Sequence, residues 1–331
     1  MKYLNNLYKS LSKFGIDYFI IALLLAITCA FFAPDLGRSK EGLSLSQVSN
    51  YLLVLIFFFY GLKLDISTIK KSLSNFKLHL LVQISTFIIF PALFFIYKYL
   101  FGNFYSESLE IGILFLCALP STVSSSVVMV SIAKGNIPAA IFNASISGIL
   151  GVLLTPLILS LSVEAKQDLS ELLNIFISLI FQIILPVILG VSLNKYLFNF
   201  AKKHSTFFKL YDQCVIVMIV YSSFCDSFYM DMFAEISLTT LLSLIITLLL
   251  LLFTVYYIIK LIARLLHFSK QDTITATFCG SKKSLAHGVV MSKVIASSPA
   301  LIATMLLPIM IFHALQLIVI SIIAKKIGRE G

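Results

Sequence analysis

Two short stretches hold most of the groups in this chain that could do chemistry. The first runs Leu119, Pro120, Ser121, Thr122, Val123, Ser124, Ser125, Ser126, and the second runs Cys279, Gly280, Ser281, Lys282, Lys283, Ser284, Leu285, Ala286, His287, Gly288. Both lie inside long apolar runs. Proline removes a backbone donor and clashes with the turn before it, and clustered hydroxyls can take up or compete for the freed carbonyls, so Pro120 and the serines after it predict a broken helix. Two adjacent ammonium groups within an apolar span are costly unless they meet water, an anion or a protein acceptor. Lys282 and Lys283 are therefore candidate ligands for an anion, with Ser284 and His287 beside them, and His287 is also a candidate proton relay. A second reading stays open for each group. The lysines could end a helix at the surface, and the serines could simply bond the carbonyl four residues back.

Further polar groups sit sparsely on neighbouring runs. Asn143 and Ser147 are four apart and share a helix face, and Gln83 is one of few polar residues in its run. Each is a candidate ligand or a helix-packing hydrogen bond. Other chemistries lack their residues. There is no GxxxxGK phosphate loop and no HExxH or GxSxG motif, and no carboxylate lies deep in an apolar run. A nucleotide-driven pump and a hydrolase are thereby disfavoured. The five cysteines, Cys29, Cys117, Cys214, Cys225 and Cys279, are odd in number and lie mostly in apolar runs, which implies packing and not a disulfide framework.

Lipid-crossing helices must position these groups. Of 331 residues 59% are hydrophobic and 12% charged, a balance that a water-soluble fold of this size could not hide. At about 20 residues per crossing, ten spans are predicted: Ile16 to Ala33, Val48 to Leu64, Leu78 to Leu100, Leu109 to Ala133, Pro138 to Val163, Leu169 to Leu193, Leu210 to Met230, Ile236 to Leu261, Thr273 to Ala296 and Pro299 to Ile323. The charged start before Ile16 resembles a signal peptide, but the comparable runs that follow make it a first span. There is no Trp, so Tyr and Phe must supply the interfacial belt.

Counted alternately over the connections, 18 Lys and Arg fall on one side and four on the other, namely Arg38, Lys40, Lys98 and Lys166. The richer side is cytoplasmic by the positive-inside rule, which puts both termini inside. The formal charge of +10 is thus a topology signal and not a nucleic-acid footprint.

The halves repeat. Tyr60 and Asp65 return as Tyr221 and Asp226 at an offset of 161, Cys117 and Val127 as Cys279 and Val289 at 162, and Pro138 as Pro299 at 161. Five spans per half would place repeat one (about 14–163) and repeat two (about 169–323) upside down relative to each other. Inverted repeats of this kind bind solute near the midplane, where discontinuous helices meet. Pro120 and Gly280 mark the two expected breaks.

The strings LPSTVSSSVVMVSIAKGN (Leu119 to Asn136) and FCGSKKSLAHGVVMSK (Phe278 to Lys293) resemble the bile acid and sodium symporter superfamily. They are most similar to the branch with the seventh vertebrate member of solute carrier family ten and its bacterial relatives. The resemblance covers essentially the whole chain. It implies an all-α membrane fold of ten transmembrane helices, with broken helices four and nine crossing at the midplane. It further implies a panel of helices one, two, six and seven, and a core of three to five and eight to ten that moves against it.

Carried over position by position, the family's sodium ligands suggest Ser125, Ser126, Asn143, Ser147 and Gln83, with Thr122 and Ser124 beside them. The family's helix-nine glutamate is absent: Phe278 stands near its position, and Lys282 where the family has glutamine. Either a lysine ammonium occupies the sodium volume, or Lys282 and Lys283 bind an anionic solute. The expectation is a non-enzymatic secondary transporter of a small organic anion, of bile-acid-like or other carboxylate or sulfate type, in the bacterial inner membrane. Sodium is the only cofactor in question. The expected partners are the bilayer and the solute, with no nucleic acid; a homodimer is left open. The alternative is a non-transporting regulator or sensor on the same fold, and a channel comes third.

Overall fold

A computed structural model describes residues 18–37, 45–63, 75–102, 104–122, 124–160, 177, 180–231, 236–296 and 299–330. Among these, the regular structure is helical with no strand. The helices are α1 (Tyr18–Phe32), α2 (Pro34–Gly37), α3 (Leu45–Leu62), α4 (Phe76–Ile84), α5 (Phe90–Phe101), α6 (Glu107–Ala118), α7 (Ser124–Ile132), α8 (Ile137–Ser160), α9 (Leu185–Lys203), α10 (Ser205–Tyr229), α11 (Leu238–Leu265), α12 (Lys270–Gly280), α13 (Leu285–Ile295) and α14 (Pro299–Glu330). A π-helical turn at Ser85–Ile89 joins α4 to α5, and another at Ile180–Ile184 leads into α9.

Among the described residues, six helical stretches are long and apolar enough to cross a membrane: Phe76–Phe101, Ile137–Ser160, Ile180–Lys203, Ser205–Tyr229, Leu238–Leu265 and Leu301–Arg329. Ile21–Phe32 and Tyr51–Leu62 are shorter apolar helices. The remaining apolar runs are interrupted, as expected, between α6 and α7 and between α12 and α13. The sixth predicted span ended at Leu193, whereas α9 continues to Lys203. Buried Asn194 donates to the Leu62 carbonyl at 2.7 Å, which fixes the extra turns on α3, and lysine stems can reach a polar boundary from a continuing helix. Asp65 and the first 17 residues lie outside the described residues.

The helices pack in two groups. In one, α9 lies along α3, and α10 along α1 and α3. Gly61 and Gly190 allow the α3 and α9 backbones to touch, since a Cβ on either would overlap a backbone carbonyl of the other helix; small residues serve this purpose between membrane helices. Lys63 and Asp212 pair at 2.8 Å in the same group. In the other, α6 packs on α14 and α8, α12 on α11 and α4, and α13 on α14. The groups meet where α10 contacts α13 and α14. Large apolar side chains such as Leu24, Phe32, Ile188, Leu250 and Tyr257 point outward, as expected of a surface solvated by lipid.

Candidate functional site

The two interruptions meet. Lipid offers no hydrogen bonds, so the carbonyls released by a broken helix need other partners, and those partners define the site. α6 stops at Ala118 because Pro120 has no N–H. The Ser121 N–H, which an unbroken helix would give to Cys117, is donated to Ser147 Oγ at 2.9 Å. The Ala118 carbonyl accepts from Thr155 Oγ1 at 2.8 Å, and the Pro120 carbonyl from the Ser284 N–H at 2.9 Å. In the opposite direction, Ser121 Oγ donates to the Cys279 carbonyl at 2.5 Å and Ser85 Oγ to the Gly280 carbonyl at 3.0 Å. Ser126 Oγ reaches the Phe278 carbonyl at 3.4 Å. Each break is closed largely by the other.

Two carbonyls at the first break, Cys117 and Leu119, have another partner. Lys283 Nζ donates to them at 2.6 and 2.8 Å and to the Thr86 carbonyl at 2.6 Å. Thr86 is available for a local reason. In the π-turn the Phe90 N–H bonds the carbonyl five residues back, at Ser85; the next donor in that pattern would be residue 91, which is proline. Thus Pro91 frees Thr86, and Pro120 helps to free Cys117. An ammonium has three N–H donors, and these carbonyls use all of them. The Phe90 ring centroid lies 4.2 Å from Nζ, within cation–π range. Gln316 fixes the residue's backbone, accepting from the Lys283 N–H and donating to its carbonyl, both at 2.8 Å. Lys283 is 1% exposed.

Lys282 is the counterpart without such a cage. It is 0% exposed, and its Nζ has no hydrogen-bond partner among the described residues. Behind the second break, His313 Nδ1 accepts from Gln316 Nε2 at 2.8 Å.

The other predicted residues fall into three places. Thr122 Oγ1 contacts Ser125 Oγ and Ser126 Oγ, each at 2.8 Å. Gln83 Nε2 contacts the carbonyl and Oδ1 of Asn143 at 3.2 and 3.3 Å, and Asn143 Nδ2 donates to Ala139. Ser284 Oγ caps α13 at the His287 N–H and lies 2.9 Å from His287 Nδ1. The Ser124 side chain lies outside the described residues. Gly280 is the last residue of α12, and the second break is Ser281 to Ser284.

The sequence reading did not single out Thr86 or Gln316, named Ser121 only among the serines that follow Pro120, and named Tyr60 only in the repeat. The Tyr60 hydroxyl donates to the Ser145 carbonyl at 2.9 Å, and its ring stands edge-on to His287 at 5.5 Å. Pro91 was the available signal for Thr86; nothing local marks Gln316.

The family profile described as the SBF-like CPA transporter family matches residues 17–329. An uncharacterized protein of Pseudomonas aeruginosa is 36% identical over 96% of this chain and 95% of its own length. YfeH of Escherichia coli, by name a candidate symporter, is 31% identical over 95% of this chain and 94% of its own. The sodium/bile acid cotransporter 7-B of Xenopus laevis is 28% identical over 94% and 91%.

Proposed function

Because the chain belongs to the SBF-like CPA transporter family, we propose that it is a secondary transporter of a small organic anion in which the Lys283 ammonium replaces a co-transported sodium ion. One observation carries this reading: Lys283 Nζ on three carbonyls at 2.6–2.8 Å. A tethered cation joins the two broken helices to the helix before them, yet cannot leave with the solute.

Sodium suits this residue set poorly. A hard cation needs several oxygens free to turn toward it. The Thr122, Ser125 and Ser126 hydroxyls bond one another, and Leu119 at the same break already bonds an ammonium. Phe278 stands where the family's carboxylate would be, so a second cation near Lys283 would meet repulsion without an anion to offset it. Lys282 is the group left to recognise a negative charge. A buried ammonium without an acceptor gains most from an anion, which favours a carboxylate or sulfate solute, the class suggested by the cotransporters' names.

On this reading the six long helices, two shorter apolar helices and two interrupted pairs are ten spans in two inverted repeats, about 14–163 and 169–323. The breaks cross at the midplane and the chain lies in a bacterial inner membrane with both termini cytoplasmic. Helices α1, α3, α9 and α10 form the panel, the others the core, and Tyr60 against Ser145 and His287 is a contact between them.

Counterflow of labelled taurocholate and of smaller carboxylates and sulfates into proteoliposomes tests the proposal. Exchange of at least one anion is expected at equal rates in sodium and choline, with a fall of tenfold or more in Lys282→Met. Sodium-dependent exchange would overturn the tethered-cation reading. Absence of exchange with every anion would favour the regulator.

A further inference from the structure

Beside the second break, α11 and α12, with Ile327 of α14, flank an open pocket of about 330 Å³. Lys260 and Arg264 from α11 and Lys270 from α12 line it, together with Thr273 and Thr277. Tyr256, Ile274, Phe278 and Ile327 supply its apolar walls. No acidic residue lines it, and among the described residues none of the three cations forms an ion pair. Asp272, in the first turn of α12, turns to two amides, its Oδ1 accepting from Asn136 at 2.9 Å and its Oδ2 from Asn75 at 3.0 Å.

Two of these cations have an ordinary explanation, because Arg264 stands in the last turn of α11, whose carbonyl end favours positive charge, and Lys260 Nζ lies 6.0 Å from the Tyr256 ring. Lys270 has none. It is the first residue of α12, where the helix dipole disfavours a cation, so its position beside Lys260 and Arg264 concentrates like charge on a partly exposed surface, which attracts an anion. All three belong to the side rich in Lys and Arg, which faces anionic lipid in the topology above.

We propose that this pocket binds the phosphate of an anionic lipid headgroup, with Lys260, Arg264 and Lys270 on the phosphate. The apolar walls favour a lipid over a free phosphate ester, for they match the glycerol and first acyl carbons. Beyond them Tyr257, Leu261 and Leu265 extend an exposed apolar surface along α11. Basic pockets between membrane helices on the inner side bind headgroups in this way. Phe278 lines the pocket while its carbonyl meets Ser126 Oγ, so an occupied pocket bears directly on the second break. The inference does not depend on the solute proposed above.

The test is the melting point of the full chain in neutral detergent with added dioleoyl phosphatidylglycerol, dioleoyl phosphatidylcholine or glycerol 3-phosphate. Phosphatidylglycerol should raise it and phosphatidylcholine should not. Arg264→Gln with Lys270→Gln should weaken the lipid's apparent affinity about 25-fold, at roughly fivefold per cation near a charged headgroup. Lys202→Gln with Lys203→Gln, elsewhere on the same charged side, should leave it unchanged and controls for general attraction. A rise with glycerol 3-phosphate that the Arg264 and Lys270 changes abolish would keep the phosphate site but make its source soluble. An equal response to phosphatidylglycerol in both double variants, or none in the parent, would overturn the proposal.

Discussion

Replacing Lys283 by Ala removes the ammonium and leaves space where it stood. The Thr86, Cys117 and Leu119 carbonyls lose their donor together. A buried acceptor left bare costs about 1–3 kcal/mol, so three cost about 3–9 kcal/mol. Against this, the variant no longer holds an ammonium out of water, a relief of several kcal/mol. The middle of that range, about 6 kcal/mol, less about 3 kcal/mol of relief, leaves a net loss of about 3 kcal/mol. At roughly 2 °C per kcal/mol for a long chain, the melting point should fall by about 6 °C. The protein has no Trp, so the assay is a thiol-reactive fluorogenic dye. Cys29 and Cys214 are exposed and set the baseline, whereas Cys117, Cys225 and Cys279 are buried and react on unfolding. Sodium provides the more specific readout. With the ammonium gone, the three oxygens can turn to a free cation, and sodium at 100 times its dissociation constant would restore about 2.7 kcal/mol, or roughly 5 °C at the same conversion. The parent should melt identically in sodium and choline at matched ionic strength. A Lys283→Ala protein that melts with the parent, or a parent stabilised by sodium, would refute the tethered-cation account.

Two further substitutions probe the surroundings. Gln316→Leu strips both backbone groups of Lys283 of their partners, and at about 1–3 kcal/mol for each it should destabilise the chain by roughly 2–6 kcal/mol in the same thiol assay. Sodium should give no rescue there, because the ammonium stays in place. In Gly148→Ala the new methyl would overlap the Tyr60 hydroxyl and crowd His287 Nε2. Overpacking of that kind costs about 1–3 kcal/mol and should slow anion exchange if α3 closes against α8 there. Adding Tyr60→Phe removes the nearest obstructing atom but keeps the ring carbon behind it and gives up the bond to Ser145, so it should recover part of both losses, whereas strictly additive effects in the double variant would show that the two residues do not meet.

The sequence by itself determined the solvent, most of the helices and the positions of both interruptions, because these depend on local properties. Apolar runs near 20 residues require lipid, and a proline followed by clustered hydroxyls, as at Pro120, interrupts its run, whereas Pro156 and Pro308 stand inside continuous helices. The pairing of Lys282 and Lys283 inside a span was equally visible, and so was the conflict between their charge and a sodium site. Their roles were not. Adjacent residues outside a helix point in different directions, and the choice between them lies in carbonyls 164 to 197 positions away. Sequence reasoning placed Lys282 at the family's glutamine, but it is Lys283 that reaches the three oxygens. Those oxygens lack helical donors because Pro91 has no N–H to give Thr86 and because the chain leaves the helix at Pro120, turning the Ser121 N–H from Cys117 to Ser147, and only tertiary packing brings both places within reach of one side chain. The extra turns of α9 follow the same logic, since Asn194 reads as the end of a span until the Leu62 carbonyl lies beside it. Local chemistry decides where a helix forms and where it fails; which groups then satisfy the freed backbone is settled by what the fold packs against it.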